Sequence, residues 1–174
     1  MGEAIYGIAK TEAQAERIVA DLEAAGFDYG DISVLLPDRS GTRDFAHEKG
    51  TKAPEGAAAG AGTGGLLGGA LGLLAGIGTL AIPGIGALIA AGPILATLSG
   101  AAVGATVGGI TGALVGMGIP EYEAKLYEGK LRDGNILISV HAEDGSRRQL
   151  ARKLLEQGHL EHVSTSSEAS APRR

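Results

Sequence analysis

Ala4-Ile5-Tyr6-Gly7-Ile8-Ala9-Lys10-Thr11-Glu12-Ala13-Gln14 lays down one element and the start of the next within eleven residues. Residues 4–9 are apolar and carry Ile and Tyr, the pattern of a strand. Thr11 and Gln14 stand three apart as a capping box, and Ala15, Ile18, Val19, Leu22 and Ala25 then recur at helical spacing. Gly26 is placed to end that helix in the left-handed conformation, with Phe27 as the hydrophobic contact beyond it. Residues 32–36 read as a second strand, stopped by Pro37. The same grammar returns near the other end. Ile136, Ile138 and Val140 alternate within a strand over 135–141, and Ser146 with Gln149 forms a second capping box. Leu150, Ala151, Leu154 and Leu155 make that helix's apolar stripe, Gly158 closes it, and residues 160–165 form a fourth strand.

Two β-α-β units assemble most economically as an α+β ferredoxin-like sandwich, a four-stranded sheet with two helices on one face. Residues 1–36 supply the first half and 120–165 the second. Strands two and three of that topology are antiparallel neighbours, so an insertion between them leaves and re-enters at adjacent points.

The insertion differs sharply in composition. The 65 residues between Glu55 and Glu121 contain no charged side chain and hold 20 of the 30 glycines. Gly60, Gly64, Gly68, Gly72 and Gly76 form one row four residues apart, and Gly100, Gly104, Gly108, Gly112 and Gly116 form another. Such a row on a helix is a groove without side chains, which lets two helices approach closely, as small-xxx-small helices do in bilayers. The spacing therefore predicts an apolar helical hairpin, a glycine zipper, over 56–119, with arms at 57–81 and 87–118. Pro83, Gly84 and Gly86 mark its tip, and Gly92-Pro93 interrupts the second arm. An arm of 25 residues would be about 37 Å long, against a hydrocarbon core of about 30 Å. Glycine costs about 1 kcal/mol relative to alanine inside a helix, so lipid, a partner helix or both must hold these arms. Leu66, Leu67, Leu71, Leu73, Leu74, Ile77 and Leu80 supply the drive for insertion, only a few kcal/mol in total at roughly 0.3–0.6 each. A soluble oligomer that buries its hairpins together, or a core within one chain, are the alternatives.

Glu48-Lys49-Gly50-Thr51-Lys52-Ala53-Pro54-Glu55-Gly56, Leu80-Ala81-Ile82-Pro83-Gly84-Ile85-Gly86, Ala90-Ala91-Gly92-Pro93 and Gly118-Ile119-Pro120-Glu121-Tyr122-Glu123-Ala124 together resemble a bacterial family of general-stress or low-temperature-induced proteins. That family combines an α/β domain with a Gly/Ala-rich apolar middle. The likeness covers most of the chain and weakens after about His141. More distantly, the chain is similar to the small membrane subunit of a quinol-oxidising alternative complex. The resemblance implies stress association and a membrane setting, and supplies no catalytic residue.

Chemistry is sparse. The net charge of −5 and six aromatic residues argue against a nucleic-acid partner, which would want clustered basic and stacking groups. No cysteine is present, so thiolate metal sites and cysteine nucleophiles are excluded. The amino terminus lacks the basic and apolar regions of a signal peptide. His159 and His162 point to opposite faces if they lie on a strand, and His47 and His141 are isolated. No Gly-x-x-x-x-Gly-Lys-Ser/Thr loop occurs, nor a recognisable nucleophile with its base. No cofactor or enzymatic activity is expected. Residues 37–55 form a charged linker, or a strap facing anionic lipid at the hairpin root. Residues 120–131 should be an amphipathic helix whose Tyr122, Leu126 and Tyr127 meet a membrane interface or cover the sheet. Residues 166–174 are a polar tail. The expected partners are a lipid bilayer, the protein itself and subunits of a membrane complex. The expected location is the bacterial inner membrane with the α/β domain on the cytoplasmic side. A cytoplasmic oligomer that binds a ligand is the soluble alternative.

Overall fold

The computed structural model describes residues 3–38, 78–82, 86–94 and 105–167. They form an α+β structure whose antiparallel sheet is packed against four helices. In chain order the elements are β1 (Glu3–Ala9), α1 (Glu12–Ala24), β2 (Ile32–Pro37), β3 (Gly78–Ile82), β4 (Gly86–Ala91), α2 (Ala105–Gly116), α3 (Glu121–Arg132), β5 (Ile136–Ala142), α4 (Gly145–Gln157) and β6 (Glu161–Ser167). The strand order is β3-β4-β2-β5-β1-β6, antiparallel throughout.

The two ends of the chain share this one sheet. β5 lies between β1 and β2, pairing Ile5 with Val140 and Val34 with Ile138. Residues more than a hundred positions apart are thus direct neighbours, as the repeated strand-helix-strand grammar predicts. Thr11 caps α1 by accepting from the Gln14 amide at 3.2 Å. Gln14 reaches back one residue further than expected, its Oε1 accepting from the Lys10 amide at 2.8 Å. Its Nε2 donates to the Gly158 and His159 carbonyls, tying the start of α1 to the end of α4.

The second capping box is corrected. Asp144, not Ser146, caps α4: its carboxylate accepts from the Arg147 amide at 2.7 Å and from the Ser146 hydroxyl at 2.6 Å. Both effects hold the Asp144 carboxyl below its ordinary range, the Ser146 hydroxyl most strongly. Leu150 is 40% exposed and leaves the apolar stripe to Ala151, Leu154 and Leu155. At the far end Gly158 keeps φ at −74°, and His159 takes the left-handed turn at φ 58°. Glycine is needed at 158 for closeness: a Cβ there would lie 1.8 Å from Ile18 Cδ1.

The region 78–91 is a second correction. Helix was expected over 78–81 and 87–91, and the chain there forms a hairpin of strands that extends the sheet beyond β2. β4 pairs Leu36 with Ile89 and Leu35 with Ala90, and β3 pairs with β4 through five consecutive partners. A short apolar run buried on both faces has no periodicity that separates strand from helix. The glycine row also stops at Gly76, so nothing in 78–91 repeated the spacing that suggested helix. Gly92 then turns the chain at φ 82°. Its missing Cβ would sit 2.0 Å from the Ile32 carbonyl oxygen, so only glycine lets β4 run out past β2.

Helix α2 confirms the helical reading of 105–116, with a break at Gly109 (φ 57°, ψ −149°). The sheet is covered on both faces. Ile5, Val34, Ile89, Ile138 and Val140 face α1 and α4 with Ile18, Leu22 and Leu155. Tyr6, Ile8, Leu35, Leu88, Ala90 and Leu137 face α2 and α3 with Ile110, Leu114, Met117, Tyr127 and Leu131. The expected sandwich has helices on one face only and an alternating third strand; with both faces covered, residues 136–140 are buried without a break. The last strand runs to Ser167 rather than Thr165. Ser166 is buried and donates to the Gly118 carbonyl, so the tail begins later than expected.

Candidate functional site

The surface formed by α2 and α3 is the candidate site, because there a described helix of the uncharged insertion meets solvent. Helix α2 contains no charged residue. It presses Ile110, Ala113 and Leu114 into the sheet and leaves Gly112, Val115 and Gly116 exposed, Val115 by 42%. A Cβ at Gly112 or Gly116 would meet nothing within 4 Å. The exposed glycines are four apart, so they share a shallow, side-chain-free strip of the helix. Gly108 keeps the four-residue spacing but precedes the break at Gly109 (φ 57°, ψ −149°), so it does not continue that strip. Gly60, Gly64, Gly68, Gly72, Gly76, Gly100 and Gly104, with Pro83 and Gly84 of the tip, lie outside the described residues, as does the linker from 39 onward. Gly86 opens β4 in a left-handed conformation, φ 99°.

The break at Gly109 puts the Thr111 amide in the first turn of the resumed helix, where amides take acceptors from outside the helix. Glu128 of α3 takes it at 3.1 Å and also accepts from the Thr111 hydroxyl. Arg132 Nη2 holds the second oxygen of that carboxylate at 2.6 Å. Burial alone would raise the Glu128 carboxyl, but the two Thr111 donors and Arg132 together keep it below its ordinary range. This charged clasp joins α2 to α3 beside the glycine strip. The paired glycines 108 and 109 were the signal in the sequence for the break; nothing in it pointed to Glu128.

The three residues expected at an interface separate. Tyr122 is 73% exposed and Leu126 37%, whereas Tyr127 is fully buried. Tyr127 packs its ring 6.3 Å from that of Tyr6. Its hydroxyl donates to the His162 carbonyl at 3.0 Å and lies 2.6 Å from Ser164 Oγ, which in turn donates to Glu123. Burial pushes the Tyr127 phenol up to about 12 despite the Ser164 hydroxyl, which favours ionisation. Tyr127 is a covering residue of the sheet. Tyr122 and Leu126, with His162 and Val163, border a cleft of about 220 Å³ at the β6 edge.

Other polar groups are engaged in structure. Lys10 and Lys130 both grip Glu161, at 2.7 and 3.2 Å. Arg148 pairs with Glu3, and Arg147 stacks 4.7 Å over Phe27 while donating to the Gly26 carbonyl. His159 lies in the turn after α4 and His162 in a bulge of β6, both with positive φ. Among the described residues no group of His, Asp and Glu could hold a metal ion, and no helix is long and apolar enough to cross a membrane. No protein-family model, no curated protein and no solved structure matches the chain.

Proposed function

We propose that this protein is a non-enzymatic scaffold that associates with itself through glycine-bearing helix surfaces and with a membrane from one side. The α/β core, a ferredoxin-like arrangement widened by the β3-β4 hairpin, is its cytoplasmic anchor. The observation that carries this reading is the outer strip of α2. An uncharged helix with Gly112 and Gly116 open and Val115 exposed gains little from water and much from a second close-packed surface.

The fold supports approach to the membrane from one side. β2 and β3 belong to the same sheet, so the chain that leaves Pro37 must return to that sheet at Gly78. Between them only residues 56–77 are free of charge, enough for about one bilayer crossing and not the two that a return would need. Contact within one leaflet therefore suits the length better than a full span. The stress association, and membership of a larger membrane complex, rest on the resemblance of the Glu48–Gly56, Leu80–Gly86 and Gly118–Ala124 segments.

The test compares wild type with Gly112→Leu and, on the opposite layer, Lys153→Leu. Each is run for crosslinking yield, gel-filtration size in mild detergent and flotation with anionic vesicles. Leucine raises both helix propensity and hydrophobicity, so Gly112→Leu should keep or increase flotation while reducing assembly. Equal assembly in all three proteins sinks the self-association reading. Absence of flotation sinks the membrane reading. Co-purification of a haem- or iron–sulfur-bearing partner from native membranes would instead make the protein an accessory subunit.

A further inference from the structure

The two edges of the sheet are finished differently. At one edge β6 is guarded. Tyr6 pairs with Ser164 and Ile8 with Glu161, so His162 and Val163 both stand against Gly7. That bulge puts His162 at φ 52° and breaks the row of backbone groups an incoming strand would need. Glu161, gripped by Lys10 and Lys130, adds charge at the same place. At the other edge β3 has none of these devices. Its register with β4 is continuous from Gly78↔Ala90 to Ile82↔Gly86, and Gly78-Thr79-Leu80-Ala81-Ile82 contains no charge and no proline. Among the described strands nothing pairs with its outer side.

We propose that the outer edge of β3 is a pairing surface for β3 of a second copy of this chain, joined antiparallel about a two-fold axis. Two properties select a second copy. The strand is uncharged, so its own image brings no like charges together. The β6 bulge blocks β3-to-β6 addition, the head-to-tail contact that would polymerise without closing, and leaves the isologous pair as the closed solution. Centred on Leu80, the two-fold uses all five residues: Leu80 faces its own image, and Thr79 faces the position of Ala81 in the other copy. The result is one sheet continuous across two chains, with each core intact. This surface is separate from the glycine strip of α2 and does not depend on it.

The absence of cysteine in the chain gives a clean test in the full-length protein. Single variants Thr79→Cys, Leu80→Cys, Ala81→Cys and Ser164→Cys are oxidised under mild conditions, and disulfide dimer is measured. Directly opposed residues lie about 5 Å apart, whereas the diagonal neighbours lie about 7–8 Å apart, beyond reach of a disulfide. Leu80→Cys should therefore crosslink at least about tenfold more than Thr79→Cys or Ala81→Cys alone, and a mixture of those two should crosslink with each other. Ser164→Cys on the guarded edge should stay monomeric. Little crosslinking of Leu80→Cys, equal crosslinking at Ser164→Cys, or a monomer by sedimentation of wild type each overturns the proposal. Combining Leu80→Cys with Gly112→Leu separates the two interfaces. Retained disulfide with reduced higher assembly supports both, retained disulfide with unchanged assembly supports β3 against the glycine strip, and loss of the disulfide overturns β3 pairing as an independent contact.

Discussion

The two faces of the sheet are covered by helices of opposite character. On one, α1 and α4 are amphipathic, with charged outer surfaces and ordinary caps at Thr11 and Asp144. On the other, α3 is amphipathic, but α2 is uncharged, broken at Gly109, and held by Glu128 of its neighbour. The first face carries its own signals for where each helix starts and stops. The second depends on contacts made only after folding. Among the described residues Val115, Tyr122 and Leu126 are exposed on the second face and Leu150 on the first.

The comparison is broken most severely at Gly92, where the chain leaves β4, a strand that contributes to both faces. Gly92→Ala combines a strained φ with a clash against the Ile32 carbonyl, and should cost about 3–5 kcal/mol, read from urea denaturation. A cost under about 1 kcal/mol would mean that β4 does not run against β2 as described. Next come matched truncations on the two faces. Leu114 and Leu155 are both fully buried, so Leu114→Ala and Leu155→Ala should each cost about 2–4 kcal/mol. If α2 instead left the sheet, Leu114→Ala would be nearly silent while Leu155→Ala kept its full effect.

Gly158→Ala probes the first face alone. The new methyl meets the end of the Ile18 side chain, which can shift, so a loss of about 1–3 kcal/mol is expected. Gly158→Ala in an Ile18→Val background should recover part of it, which tests whether the α1–α4 approach is the cause. The smallest effect is a pH dependence confined to the second face. The Tyr127 phenol, raised to about 12 in the folded protein, titrates near 10 when unfolded. The native state thus binds this proton more tightly. Its contribution is complete below about pH 10 and is lost as pH rises toward 12. Tyr127→Phe should flatten the decline of stability between about pH 10 and 12, and an unchanged slope would place the phenol in water.

How much of this was legible follows the same division. The Thr11 cap, the apolar stripe of α1, Gly26 and strands over 32–36 and 135–141 are local features, each readable within a dozen residues. The α4 cap, by contrast, fell at Asp144 rather than Ser146, and Leu150 left its stripe. Their joining into one sheet was legible because both flanks repeat a single grammar. The glycine spacing predicted helix over 105–116, yet neither the break at Gly109 nor which side of the helix would meet the sheet. Tyr122, Leu126 and Tyr127 were grouped by type, and burial separated them, because only Tyr127 lies under the turn of β6 that receives its hydroxyl.

By itself the sequence determined the alternation of charged flanks with an uncharged middle, the helix starts, and the left-handed turn at Gly26, since composition, caps and φ preference act over a few residues. Tertiary structure alone decided that residues 78–82 and 86–91 become strands. An apolar run with no polar face satisfies its backbone equally in a helix or beside a partner strand, and the open edge of β2, with Leu35 and Leu36 ready to pair with Ala90 and Ile89, selected the strand.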